Sequence, residues 1–172
     1  MNTLPERFRS GPEGQFLERK SCFNKRAKTP KPLLLKNVSA EIAETLVAFA
    51  NADGGELVVG LDDDGTPSGL PFNDKQLAKL IEISSSRINP PLSAKPEICL
   101  CGSQKILLFE TGPSLVTHRT TAGQYLYRDH DKNMPMDADR IAHAKALKKQ
   151  SLTEHALVPG ACMADLREDL VH

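Results

Sequence analysis

The chain contains no tryptophan, and aromatic residues fill only 5% of its 172 positions. A binder of single strands that stacks successive bases on exposed rings is therefore disfavoured. Net charge is also missing, because 22 lysines and arginines face 22 aspartates and glutamates. No global field steers nucleic acid toward such a chain, so a partner of that kind must be met by local patches. The four cysteines, Cys22, Cys99, Cys101 and Cys162, show neither the close pairing of a zinc knuckle nor the density of a disulfide scaffold. Reduced thiols in a cytoplasm are the simplest expectation. No apolar run approaches a membrane span, and Met1 to Ser10 lacks a signal-peptide core. What is present, 40% hydrophobic and 26% charged residues, suits one cytoplasmic globular domain with one core.

The most informative stretch runs from Val38 to Gly65. Val38, Ile42, Leu46 and Phe49 recur at helical spacing and give the helix one apolar face. Glu41 and Glu44 are expected to complement its N-terminal dipole. Gly54 and Gly55 can end the helix and turn the chain back. Leu57, Val58, Val59 and Leu61 then read as a short strand covered on both faces. Asp62, Asp63 and Asp64 close it before Gly65, as a hairpin turn or as a holder of something cationic.

Upstream, Met1 to Pro12 is expected to be a mobile lead-in, since prolines and a glycine sit among charges. Glu13 to Lys20 reads as a strand in which Glu18 and Lys20 share a face. A carboxylate for a metal beside an ammonium for a phosphorane is a recurrent nuclease arrangement, and a surface ion pair on an edge strand is the plainer account. Arg19, Lys20, Lys25, Arg26, Lys28, Lys31 and Lys36 then form a basic block with no acid among them, extended in part by Pro30 and Pro32. It suits phosphate contacts, or a solvated loop.

Downstream, Asn73 or Asp74 can cap a second helix with Leu77, Leu80, Ile81 and Ser84 inward, followed by a polar break from Ser84 to Pro91. Glu97 to Cys101 and Lys105 to Glu110 read as a hairpin, with Cys99 and Cys101 packed on one face. A loop carries His118 and Arg119, with His118 and His130 read as surface imidazoles, and Gln124 to Arg128 is a short strand that turns at Asp129 to Asn133. Asp137 can cap a last helix, with Ile141 and Leu147 inward and lysines near its end. Beyond Ser151 the pattern weakens, and Asp165 to Leu170 is a helical scrap.

Three groups of residues resemble the motifs of the Schlafen AlbA-type domain, often described as DNA-binding. They are Leu17-Glu18-Arg19-Lys20, the run from Ala48-Phe49-Ala50-Asn51 through Gly54-Gly55 to Gly60-Leu61-Asp62-Asp63, and Tyr127-Arg128. The resemblance covers about Glu13 to Lys149. It implies an α/β fold of the mixed α+β kind, a mixed sheet flanked by helices, over 13–150, with 1–12 leading in and 151–172 a C-terminal extension or the start of a following segment.

In Schlafen members that resemble ribonucleases, three carboxylates bind a divalent cation and cut transfer or ribosomal RNA. Glu13, Glu18 and Asp63 stand at those positions. The resemblance thus implies Mg2+ or Mn2+ on these three, which are expected to converge within metal-binding distance, with Lys20 assisting. Arg19, Lys25, Arg26, Lys28, Lys31, Arg119, Arg128 and Lys132 are the expected contacts to RNA or DNA, bordering one groove. The zinc ligands of vertebrate members have no match here, and one module stands where those build a two-lobed clamp; a homodimer could replace the second lobe. Other bacterial members place this domain ahead of further segments in transcription regulators, where it would bind DNA without cutting. A purely structural or protein-interaction module is the third alternative. No membrane partner is expected.

Overall fold

The structure, a computed structural model, describes residues 2–24 and 29–156. In chain order its elements begin with β1 (Asn2–Thr3), α1 (Arg7–Ser10), β2 (Leu17–Lys20), β3 (Phe23–Asn24), β4 (Lys31–Pro32), α2 (Leu35–Asn51) and β5 (Gly55–Val59). They continue with α3 (Asp74–Ile81), α4 (Ile83–Ser86), β6 (Ile88–Asn89), β7 (Glu97–Cys101), β8 (Gln104–Thr111), β9 (Arg119–Thr120), β10 (Leu126–Asp129), β11 (Lys132–Pro135) and α5 (Ala138–Ala156). The main sheet has the order β1-β7-β8-β5-β2, parallel at its two outer pairs and antiparallel within, so the fold is a mixed α+β one. No helix among the described residues is long and apolar enough to cross a membrane.

Helix α2 forms as its spacing requires. Val38, Ile42, Leu46 and Phe49 are buried against Leu57 and Val59 on one face of the sheet, each large side chain contributing about 2 kcal/mol. Alternation in β5 sends Val58 the other way, where with Leu61 it meets Leu4, Phe8, Ile106 and Leu108. Strand β5 is thus covered on both faces, as its unbroken apolar run implies. The turn between α2 and β5 uses its glycines differently. Gly54 adopts φ +83°, and its amide donates to the Phe49 carbonyl. A side chain on Gly55 would instead meet the Phe49 ring, 2.7 Å from the position of its Cβ.

Several expectations are corrected. The start of the chain is no lead-in: β1 pairs with β7, and Leu4 and Phe8 are buried. Helix α2 begins at Leu35, so Glu41 and Glu44 lie beyond its first turn and do not meet its N-terminal dipole. The region after α3, expected as a break, holds α4 and β6. Strand β11 pairs with β10 where only a turn was expected. On α5, capped by Asp137 through the Arg140 amide, Leu147 is 52% exposed. Lys148 points inward instead and donates to the carbonyls of Ala50 and Val116. Cys99 and Cys101 are packed in the core as expected. The expected scrap at Asp165 to Leu170 lies outside the described residues.

Candidate active site

The parallel pairing of β2 with β5 brings Glu18 opposite Leu57 and Lys20 opposite Val59. The acidic tip, which begins at Asp62 three residues beyond the end of β5, therefore lies beside the end of β2. The tip is a closed turn: the Asp62 amide donates to the Thr66 carbonyl, the Gly65 amide to the Asp62 carbonyl, and the Thr66 amide to Asp64 Oδ1. Asp62 is buried by this turn, whereas Asp63 and Asp64 stay exposed. Between tip and strand opens a cavity of about 1000 Å³ whose wall includes Glu13, Glu18, Lys20, Glu41, Asp62 and Asp63.

Glu18 is the best-held acid of the group. Its side chain is only 10% exposed; Oε1 meets Lys20 Nζ and Oε2 meets an Arg128 amino group, each at 2.6 Å. Alternation along β2 makes the first pair and the packing of β10 on α2 delivers the second. Lys20 and Glu18 thus share a face as expected, but in a buried cluster and not as a surface pair.

Glu13 lies before the strand, since β2 begins only at Leu17. Its Oε1 accepts from the Arg19 amide at 2.6 Å, which turns it back toward the site. Burial, and then the charges of Glu18 and Asp63, push the Glu13 carboxyl above its ordinary range, against the downward pull of that amide. The three carboxylates therefore face one cavity. They do not reach ligand spacing: among the described residues no three aspartate, glutamate, histidine or cysteine side chains are gathered closely enough to hold an ion. Both oxygens of Glu18 are instead taken by cations, Lys20 on Oε1 and Arg128 on Oε2.

The expected nucleic-acid contacts divide by burial. Arg19 is buried; its guanidinium donates to the carbonyls of Phe8, Gly11 and Asp63, so it ties α1 and the acidic tip to β2. Arg128 is buried too, bound to Glu18, Gly14 and Asn133. Neither presents its charge to solvent, which corrects their assignment as phosphate contacts. Lys31, Arg119 and Lys132 are exposed, but none lines the acidic cavity, so one groove does not gather them with it. Lys25, Arg26 and Lys28 lie outside the described residues.

Sequence reasoning missed Asn133 and His118. Asn133 donates to Thr45 on α2 and accepts from Arg128, its direct cross-strand partner in the β10–β11 pairing; the short polar turn between the two was the available signal. His118, expected as a surface imidazole, is buried between the Pro90 carbonyl and the Ser114 hydroxyl, 2.7 Å from each.

No curated protein matches the chain. Among solved structures, the DIP2311 protein from Corynebacterium diphtheriae superposes with a TM-score of 0.58 at 18% identity, over 78% of this chain and 24% of that one, a likeness of fold. The N-terminal domain of a RecG-related protein from Nitrosomonas europaea gives a TM-score of 0.43 at 26% identity, over 59% of this chain and 65% of that one. The chain spans about a quarter of the first of these and less than two thirds of the second. The family model described as Schlafen, AlbA_2 matches residues 13–137, a span that holds Glu13, Glu18, Lys20, Asp63 and Arg128. The protein belongs to the Schlafen AlbA_2 family of nucleic-acid-binding domains.

Proposed function

We propose that this domain is an endoribonuclease that cuts structured RNA, transfer RNA foremost, with a divalent cation, Mg2+ or Mn2+, held by Glu13, Glu18 and Asp63. One observation carries the proposal: these three acids and Lys20 line a single open cavity in which burial and the other two carboxylates raise the Glu13 carboxyl. The donor set is of the right chemistry for such an ion, all hard carboxylate oxygen whose mutual repulsion a cation relieves, and binding would draw the three in from the wider spacing they hold in this cavity. When bound, the ion supplies a Lewis acid for the phosphate oxygens and lowers the pKa of its water.

The chain's own residues do the rest. Lys20, 28% exposed and attached to Glu18, is the side chain of the cavity wall able to swing to a phosphate oxygen and neutralise the charge that develops there. Glu18 presents Oε1 to the cavity once Lys20 leaves it, while Oε2 stays on Arg128. Transfer RNA as substrate rests on the family resemblance. The exposed Lys31, Arg119 and Lys132 are available for phosphates elsewhere on the surface, so binding should weaken steeply with salt.

The neutralisation of Glu18 on both oxygens also suits a module that binds DNA without cutting, because the acid is then a complete structural ion pair. Incubating the purified protein with transfer RNA and with duplex DNA, in Mn2+, Mg2+ or chelator, separates the two. Cleavage of RNA that chelator abolishes supports the nuclease. Salt-sensitive binding of DNA with both substrates left intact supports the binding module.

A further inference from the structure

We infer that Arg128 is a positioning residue, which presets Glu18 and the backbone beside Glu13 for an incoming cation; this rests on the function proposed above. The guanidinium is 1% exposed, so phosphate cannot reach it. Nε and one amino group donate to the Gly14 carbonyl at 3.2 and 2.9 Å, and that amino group also meets Glu18 Oε2 at 2.6 Å. The other amino group donates to Asn133 Oδ1 at 2.9 Å, and the Asn133 amide donates in turn to the buried Thr45 hydroxyl at 2.9 Å. The flat face lies 5.1 Å from the centre of the Phe49 ring. One side chain thereby joins the middle of α2 to Glu18 and to the residue that follows Glu13.

The two cations on Glu18 are unequal. Arg128 is fixed from several directions, whereas Lys20 is held by Glu18 and is partly in solvent. Glu18 therefore keeps its orientation while its Lys20-bound oxygen exchanges partners. A lysine at 128 would keep the charge but lose the planar fork that reaches three acceptors at once.

The test compares Arg128→Lys and Asn133→Ala with the unaltered chain by Mn2+ titration of the metal-free protein, transfer-RNA binding over a salt series, single-turnover cleavage, and amide NMR of residues 13–20. Arg128→Lys should weaken Mn2+ binding and slow cleavage by about tenfold or more, a usual loss for a residue that orients a ligand. RNA affinity and its salt slope should not change. Asn133→Ala should act in the same direction more weakly, and carries the test if Arg128→Lys does not fold. Unchanged Mn2+ binding, with weaker RNA binding and a salt slope lower by about one, would make Arg128 a phosphate contact and overturn the inference. If the unaltered protein neither binds Mn2+ nor cuts RNA, the proposed function fails and the inference with it. If it does both, and Arg128→Lys leaves Mn2+ binding, cleavage and the Gly14 and Glu18 resonances unmoved, the function stands and the positioning alone is overturned.

Discussion

Asn51 and His118 are joined twice: the Asn51 side-chain amide donates to the His118 carbonyl and the His118 amide donates to Asn51 Oδ1, each at 2.8 Å. The same Asn51 nitrogen donates to the Leu126 carbonyl at 2.8 Å. A helix end, a long loop and the start of β10 are thus held by one side chain. Asn51→Ala leaves these backbone groups without their partner and should cost about 2–4 kcal/mol in urea unfolding. A change under about 0.5 kcal/mol, the range of ordinary surface substitutions, would show that water replaces the bonds.

Glu18→Ala should destabilise the fold as well as alter the site. It strands the charge of Arg128, whose side chain is 1% exposed, and breaking a buried pair from one side costs about 3–5 kcal/mol. Glu18→Gln keeps an acceptor and should cost less. Asp63→Ala removes an exposed carboxylate, while the contact from Arg19 goes to the Asp63 backbone carbonyl, so its unfolding midpoint should stay near that of the unaltered protein. Equal losses for Glu18→Ala and Asp63→Ala would contradict this division.

Glu13 predicts a pH effect of definite sign. Its carboxyl is raised in the folded state, first by burial, so the folded protein holds that proton more tightly than the unfolded chain does. The stability this contributes is present in full below the unfolded carboxylate range and is lost as pH rises through the higher folded value. Glu13→Gln, which retains an oxygen for the Arg19 amide, should therefore raise the melting temperature at pH 7. The gain should shrink toward pH 4. A variant less stable than the unaltered protein at pH 7 would mean that the Glu13 charge is favourable where it stands.

Much of the fold was legible because its signals are local. The period of Val38, Ile42, Leu46 and Phe49, and the run Leu57 to Leu61, declare α2 and β5 without knowledge of their partners. Asn51 read only as a polar break, since its three bonds go to residues far along the chain. Strand β1 was hidden for a related reason: Leu4 and Phe8 are isolated among charges, and the strand they accompany pairs with Cys99 and Leu100.

The site was legible in part. Glu18 and Lys20 follow from alternation in a strand, and the family motifs bring Glu13 and Asp63 to the same cavity. The roles of Arg19 and Arg128 were not legible, because an arginine committed to buried carbonyls and one offered to a phosphate are written with the same letter. Only the distances to Phe8, Gly11, Gly14 and Glu18 distinguish them.

Single-turnover cleavage of transfer RNA in Mn2+ by Asp63→Ala, with RNA binding measured on the same preparation, tests the proposed nuclease most directly. Asp63 is exposed at the cavity wall, so its loss reads out chemistry with little effect on folding. The account predicts cleavage by the unaltered protein, a fall of at least about a hundredfold in the variant, as for loss of one group that stabilises transition-state charge, and RNA affinity unchanged. Tight RNA binding with no Mn2+-dependent cleavage in the unaltered protein, or cleavage that survives in Asp63→Ala, would contradict it.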